Sequence, residues 1–212
     1  MKLKKTLLAL ALLGFTNASI AQATFNFVTK TDMKAPTHVV FIDDIENLDG
    51  AAATLNTASN GQLLTLLALN EFEPELGNVQ YLQMVAGAES LLVVGSQDED
   101  GLSAPELQDL GGIIASTLSS TSKVVDVLVH IDNLTTSTAT PSALIASGYH
   151  MRDYSFDEYK TKKDEGRSIV TFVTNNASRA QTHYQDDLRF VAQGVHLARD
   201  IATQPGNNMY PE

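Results

Sequence analysis

A strand, a helix and a second strand follow one another in the middle of this sequence, and that unit constrains the fold more than any other feature. Residues 90–95 (SLLVVG) form a short apolar run typical of a buried strand, and residues 123–131 (KVVDVLVHI) form a second. Between them, apolar residues recur at helical spacing, at Leu107, Leu110, Ile114 and Leu118. We therefore expect a right-handed βαβ crossover between two parallel strands.

Two local features mark the helix of this unit. Ser103 and Glu106 have the spacing of a capping box, in which side chains of the first turn satisfy free backbone N–H groups. Gly111 and Gly112 lie inside the helix, where each glycine costs about 1 kcal/mol relative to alanine. A close approach of the helix to the sheet would explain that cost, and we expect one here.

Strands are also predicted on both sides of this unit. Residues 37–43 (THVVFID) are typical of a buried strand, and residues 25–30 (FNFVTK) are expected to form its neighbour. Residues 79–85 (VQYLQMV) alternate between apolar and polar, which favours a half-exposed strand. Residues 167–174 (RSIVTFVT) predict a further strand.

Three more helices complete the pattern. Residues 61–72 have apolar side chains on most sides and predict a mostly buried helix. Residues 141–151 predict another, and residues 180–203 predict a last, amphipathic helix. One apolar stripe runs along that last helix, at Leu188, Val191, Val195, Ala198 and Ile201. Because strands and helices alternate throughout, we predict a three-layer α/β/α domain on a mixed sheet.

The N-terminus is typical of an export signal. Three lysines precede a short apolar run at residues 6–15, and Ala21-Gln22-Ala23 has the small-x-small pattern of a cleavage site. We therefore expect residues 1–23 to be a signal peptide and the mature chain to begin at Thr24. The alternative is a membrane anchor, but a spanning helix needs about 20 apolar residues and this run is shorter. No later stretch is apolar enough to span.

Charge and cysteine content limit the classes of binding partner and the cellular compartments that suit this chain. Removing residues 1–23 removes three lysines and no acids, so the net charge changes from −11 to −14. Such an acidic surface repels phosphate backbones, which argues against a nucleic-acid partner. The chain has no cysteine, so disulfides do not contribute to its stability. An exported protein of this kind suits the periplasm or the medium of a bacterium.

The histidines give weak indications of chemistry. None of the five lies in an HExxH or another tight ligand pattern. His130 and Asp132 stand at a predicted strand end and could supply two metal ligands, although a polar strand end is the simpler interpretation. His196 and Asp200 are four residues apart on one helix, which favours a surface pair.

Other short motifs are equally unspecific. Residues 97–101 (QDEDG) share part of a calcium-loop pattern but lack its remaining acids, which favours a solvated loop. Asn133 and Asn176 match glycosylation acceptors, a pattern that arises readily by chance. No G-x-S-x-G, P-loop or G-x-G-x-x-G sequence is found. The residues therefore define no catalytic, cofactor-binding or metal site.

The C-terminal third resembles a known family. Residues 154–163 (YSFDEYKTKK) resemble a segment of the leucyl aminopeptidases, and residues 198–212 (ARDIATQPGNNMYPE) are similar to the stretch where those chains enter the peptidase domain. Residues 89–112 are similar to the family's strand, glycine turn and helix. The chain departs from the pattern at Thr203-Gln204, where the family usually carries asparagine before the proline.

The resemblance implies a macrodomain-like N-terminal domain over residues 24–203. Residues 204–212 would then begin the linker to a catalytic domain that is absent from this chain. In the family that domain binds two zinc or manganese ions, and the proteins assemble as hexamers. Neither the Asp-Ser-Gly-Gly nor the Asn-Thr-Asp sequence of the metal segments occurs here.

Two functions remain open. The first is a non-catalytic N-terminal domain of an exported leucyl aminopeptidase-like protein, which serves oligomer contacts and access to a peptidase site elsewhere. Peptides would then be bound only by the parent enzyme, and the chain alone would show no activity. The alternative is a stand-alone macrodomain-like module that binds a nucleotide or ADP-ribose at the strand ends. For such a module Gly95 and Gly111-Gly112 are the only weak candidates for a glycine-rich loop.

Overall fold

A computed structural model describes residues 23–31, 35–121, 126–156, 159 and 168–205. The strands are β1 (Thr24–Val28), β2 (Thr37–Ile42), β3 (Val79–Val85), β4 (Ala88–Gly95), β5 (Asp126–His130) and β6 (Ile169–Val173). The helices are α1 (Gly50–Ala58), α2 (Gln62–Leu69), α3 (Ala104–Thr121), α4 (Pro141–Arg152), α5 (Ala177–His183) and α6 (Arg189–Thr203). A π-helical turn, Tyr184–Leu188, joins α5 to α6 without a break.

The six strands form one mixed sheet in the order β1-β6-β5-β2-β4-β3. Every pairing is parallel except that of β3, which forms an antiparallel hairpin with β4. The predicted strand–helix–strand unit is confirmed as β4, α3 and β5. Its two strands, β4 and β5, both run parallel to β2 and lie on either side of it. Parallel strands require such crossover connections, because a tight hairpin can join only antiparallel neighbours.

Helices cover both faces of the sheet, which confirms the predicted three-layer α/β/α architecture. The larger core lies between the sheet and the helices α3, α4 and α5 with the π-helical turn, and includes Phe41, Leu107 and Phe172. The smaller core lies under α1 and α2 and includes Leu63 and Leu67. All six residues of β2 are buried, because this central strand is covered on both sides.

Two sequence predictions are wrong, one about strand pairing and one about the burial of a helix. The segment around β1 was expected to lie beside β2, but β1 pairs with β6 at the edge of the sheet. Two strands, β6 and β5, lie between β1 and β2 in the sheet, and all four are parallel. The helix predicted at residues 61–72 is shorter, and only Leu63 and Leu67 are buried in it, whereas Leu69 is 75% exposed.

The close approach predicted at Gly111 is real, but its partner is a helix and not the sheet. A Cβ atom at Gly111 would lie 2.0 Å from the carbonyl oxygen of Ile145, in α4. The contact is reciprocal, since a Cβ at Gly148 would lie 1.8 Å from the carbonyl oxygen of Gln108, in α3. The two glycines thus let the backbones of α3 and α4 touch. At Gly112 the nearest atom is 4.0 Å away.

The other local predictions have mixed outcomes. The half-exposed strand at residues 79–85 is confirmed as the edge strand β3. One of the two hydrogen bonds of the predicted capping box is present: the Ser103 backbone N–H donates to the Glu106 carboxylate over 2.8 Å. The predicted signal peptide, residues 1–23, lies outside the described residues apart from Ala23. Within the described ranges, none of the helices combines the length and apolar character that crossing a bilayer requires.

The last helix buries a different side from the one that its apolar stripe suggests. Tyr184, Ala192 and His196 face the core. Val191, Ala198 and Ile201, which belong to the predicted stripe, are exposed, and Leu188 and Val195 are half-buried. Apolar side chains therefore remain uncovered on the outer side of α6.

Candidate functional site

The two segments that carry the family resemblance contact each other in the structure. The Tyr154 hydroxyl donates to the Asp200 carboxylate over 2.9 Å. The Arg199 guanidinium donates to the carbonyl oxygen of Met151 and lies over the Tyr154 ring, 5.6 Å from its centroid. We call this set the exit clasp: Met151, Tyr154, Tyr159, Arg199, Asp200 and Gln204.

The exit clasp extends to the end of the last helix. The Tyr159 hydroxyl donates to the side-chain oxygen of Gln204 over 2.6 Å. Gln204 is the residue before Pro205, where the sequence departs from the family pattern, and its longer amide is used in this contact. The clasp therefore ties the loop after α4 to the point at which the chain leaves α6. The remainder of both motifs, residues 157, 158, 160–163 and 206–212, lies outside the described residues.

Beneath the exit clasp, three aromatic side chains join α4 to the last helix. The His196 Nε2–H donates to the carbonyl oxygen of His150 over 2.8 Å. The Tyr184 hydroxyl lies 2.8 Å from His150 Nδ1. Burial, with the charges of His196 and Arg189, lowers the pKa of His150 to about 4. His150 is therefore neutral near pH 7, and its Nδ1 can accept a hydrogen bond from the Tyr184 hydroxyl.

The start of β1 is attached to the same region. The Ala23 N–H donates to the Asp153 carboxylate over 2.7 Å. Burial raises the pKa of Asp153, while the bond from Ala23 opposes that shift. The segment that leaves α4 thus holds both the first described strand and the last helix.

The predicted pair His130 and Asp132 does not converge on one site. His130 is buried, and its Nε2 lies 3.2 Å from Nδ1 of the stacked His38 on the next strand. Burial and the His38 charge lower the pKa of His130 to about 4. The Asp132 carboxylate lies instead against Gly50, 3.0 Å from the position of a Cβ there.

The described residues contain no group of three or more His, Cys, Asp or Glu side chains that could hold a metal ion. The ligand set that the family resemblance implies for two zinc or manganese ions therefore does not fit this part of the chain. No step of a metal-dependent reaction is assigned to its residues.

The predicted surface pair of His196 and Asp200 is wrong. His196 is buried against α4, and Asp200 is bonded to Tyr154. The expectation of a loop at residues 97–101 is confirmed, because its acids lie outside the helices and strands and are mostly exposed. Asn133 is half-buried and donates to the carbonyl oxygen of Phe41, so its amide is engaged inside the fold.

Of the three glycines considered for a ligand-binding loop, Gly95 and Gly111 serve packing, whereas Gly112 has no close neighbour. A Cβ at Gly95 would lie 2.1 Å from the carbonyl oxygen of Glu75, so the neighbouring backbone fills that position. Gly111 is filled by α4 in the same way. Neither glycine leaves room for a ligand to approach the backbone.

The sequence did not reveal the contacts of the exit clasp. Both motifs were visible, but they lie 46 residues apart at Tyr154 and Asp200, and no local pattern pairs them. The second feature that sequence reasoning missed is the uncovered side of α6. We call it the apolar face of α6: Phe190, Val191, Gly194, Leu197, Ala198 and Ile201.

Comparison with known proteins identifies the family. Residues 39–163 match the model of the cytosol aminopeptidase family, N-terminal domain. The chain is 30% identical over 193 residues to a probable cytosol aminopeptidase of Nitrobacter winogradskyi, covering 88% of this chain and 38% of that protein. It is 26% identical over 197 residues to a probable cytosol aminopeptidase of Rickettsia bellii, covering 88% of this chain and 39% of that protein.

A solved structure confirms the fold. A mutant of tomato leucine aminopeptidase superimposes with a TM-score of 0.70 at 14% identity, over 92% of this chain and 41% of that one. The chain thus spans less than two fifths of the length of these curated relatives. Since the family model covers more than half of its residues, the chain belongs to the cytosol aminopeptidase family and corresponds to its N-terminal domain.

Proposed function

We propose that this chain is a non-catalytic N-terminal domain of a leucyl aminopeptidase-like protein, and that it serves oligomer contacts and access to a peptidase site built elsewhere. The observation that carries the proposal is the exit clasp. Tyr154, Arg199 and Asp200 fix the loop after α4 to the last helix. A clasp at the end of a domain sets the direction in which the chain leaves it, which is a positioning role and not a chemical one.

The chemistry of the described residues supports a positioning role. His150 and His130 are both buried with their pKa lowered to about 4. Each is used inside the fold, by Tyr184 and by His38 respectively. The peptides, the paired zinc or manganese ions and the hexamer implied by the family belong, in this proposal, to a protein that includes the peptidase domain.

An activity assay tests the proposal. The purified chain is incubated with leucine p-nitroanilide and either manganese or zinc, with an authentic leucine aminopeptidase as the positive control. We expect no release of nitroaniline above the protein-free blank. Hydrolysis that follows the chain through purification and is abolished by a chelator would overturn the non-catalytic role.

We further propose that the chain is exported after cleavage behind Ala23, on the basis of residues 1–23. The relatives are named cytosol aminopeptidases, which favours the cytoplasm instead. Cell fractionation with N-terminal sequencing separates the two. Export predicts a periplasmic or secreted protein that begins at Thr24, whereas an intact N-terminus in the cytoplasm contradicts it.

A further inference from the structure

A cavity of about 670 Å³ opens at the carboxyl ends of β1 and β6, and we call it the strand-end cavity. One side is formed by the segments that follow these strands, with Thr29 after β1 and Asn175 and Asn176 after β6. The other side is a face of the last helix, from α5 into the π-helical turn. Sheets with parallel strands bind small ligands in crevices beyond the carboxyl ends of those strands, in cavities of roughly 300 to 1,000 Å³.

The helical side of the strand-end cavity carries charges of both signs. Arg179, His183 and Asp187 follow one another at intervals of four residues, so they lie along one face of the helix, with Asp186 beside them. Seven residues separate Arg179 from Asp186, which corresponds to about 10 Å along the helix axis. The cavity is therefore positive at one end and negative at the other.

The fold does not use these charges. Within the part of the chain that the structure describes, no hydrogen bond or ion pair engages the side chains of Arg179, Asp186 or Asp187, and all three residues are exposed. His183 differs, because its Nδ1 lies 2.7 Å from Thr140 Oγ1 and this contact orients the ring at the border of the cavity. The three charged groups thus remain available to a ligand.

The π-helical turn is a second, independent observation that points to a ligand. Turns of this kind are rare inside helices and occur frequently at functional sites. Asp186 and Asp187 both belong to the turn Tyr184–Leu188, whose Tyr184 is buried and bonded to His150. The turn is therefore fixed to the core on one side and presents two adjacent carboxylates to the cavity on the other.

We propose that the strand-end cavity binds a short peptide with free ends, its carboxylate at Arg179 and its ammonium group at Asp186 and Asp187. Three residues of extended peptide span about 10 Å, which matches the separation of the opposite charges. A free amino acid carries both groups on one carbon atom and cannot reach both ends. The described residues contain no set of three metal-ligating side chains, so the two aspartates suit an organic cation and not a metal ion.

This site goes beyond the non-catalytic role proposed above, because it gives the chain a peptide-binding function of its own in which no bond is made or broken. The contacts are exposed ion pairs, each of which contributes little. The complex is therefore weak, with a dissociation constant on the order of 1 mM.

Nuclear magnetic resonance of the isotopically labelled chain, in the form recovered from cells, measures such binding residue by residue. Titration with the tripeptide leucylglycylglycine should give saturable amide shifts confined to Thr29 and residues 174–188. The N-acetylated peptide and the C-terminal amide each lack one charge and should bind about threefold more weakly or worse, as should free leucine. The proposal is overturned by a lack of saturable shifts up to about 20 mM peptide, by shifts centred elsewhere, or by capped peptides that bind as tightly as the free one.

Substitutions assign the two ends of the peptide. Arg179→Gln should weaken binding of the free peptide about threefold and leave that of the amide unchanged. The double variant Asp186→Asn, Asp187→Asn should do the same for the free and the acetylated peptide. Matched controls are Arg152→Gln, at the end of α4 far from the cavity, and Asp109→Asn in α3, which should leave binding unchanged.

A different pattern among these variants contradicts the assigned orientation. The result is also separable from the test of the non-catalytic role. A chain that binds no peptide can still be non-catalytic, and hydrolysis of the nitroanilide would contradict that role without removing this site.

Discussion

Glycine occurs inside a helix both in the contact between α3 and α4 and on the outer side of α6, but in opposite surroundings. Gly111 and Gly148 let two helix backbones touch inside the domain, with Cβ positions only 2.0 and 1.8 Å from the neighbouring carbonyl oxygens. Gly194 also lies mid-helix, among apolar side chains, yet nothing lies within 4 Å of its Cβ position. The comparison teaches that a glycine inside a helix does not by itself show whether another backbone packs against it.

The largest effect is expected inside the closed contact. Gly148→Ala places a methyl group into the backbone of α3, so the helices must separate. We expect a loss of about 3 kcal/mol or more in the free energy of unfolding. Urea denaturation followed by circular dichroism measures it, and Gly194→Ala serves as the control. A loss below about 1 kcal/mol would show that α3 and α4 are less closely packed than described.

The next effect concerns the buried histidines, one of which lies where α4 meets α6. The pKa of His150 and of His130 is about 4 in the folded chain, below the ordinary 6.5. Between those values the unfolded chain binds protons that the folded chain does not. Stability is therefore fully present above about pH 6.5 and is lost as the pH falls towards 4, by roughly 2 to 3 kcal/mol for each histidine.

Urea denaturation at several pH values between 7 and 4.5 checks this loss. The raised pKa of Asp153 acts in the opposite sense, because protonation of that buried carboxyl favours the folded chain at low pH. The double variant His130→Gln, His150→Gln should show a smaller slope than the wild type. An unchanged slope would mean that other groups cause the acid sensitivity.

A smaller effect is expected at the exit clasp, between the two regions compared. Tyr154→Phe removes the hydroxyl that donates to Asp200 and should lower stability by about 1 kcal/mol. Tyr159→Phe is the matched control, because Tyr159 is exposed and its bond to Gln204 competes with water. Thermal unfolding of the two variants compares them. Equal effects would show that the inner bond of the clasp is no more important than the outer one.

The smallest effect is expected at Gly194 in α6, where substitution by alanine should change stability in the opposite direction to Gly148→Ala in α4. Gly194→Ala should raise the stability of the chain by about 0.5 to 1 kcal/mol, since alanine favours helix and nothing obstructs its methyl group. Thermal unfolding measures this effect. Destabilisation would contradict the open environment of Gly194.

The parts of the fold that depend on local pattern could be predicted from the sequence. Hydrophobic periodicity placed β2, β4, α3 and β5, because buried strands and amphipathic helices have distinct spacings. The partner of β1 could not be found this way, since pairing between distant strands leaves no trace in either strand alone. The side of the last helix that faces the core was also missed.

The same division holds for the candidate site. The motif residues around Tyr154 and Asp200 could be recognised, but their contact depends on how α4 and α6 pack. Gly111 indicated a close approach, yet its partner in α4 could be known only from the structure. Sequence therefore located the motif segments and left their arrangement open.

The π-helical turn at Tyr184–Leu188 has a consequence for insertions and deletions in this helix. A π turn holds one residue more than the regular helix would. Because the extra residue is taken up inside this turn, deleting one residue there should restore uniform winding and leave Ala192 and His196 against α4. A deletion in the regular part of α6 has no such turn to absorb it and should rotate everything beyond it by about 100° around the axis. Positions 184–188 are therefore where this helix can lose a residue without changing the side that it shows to its surroundings.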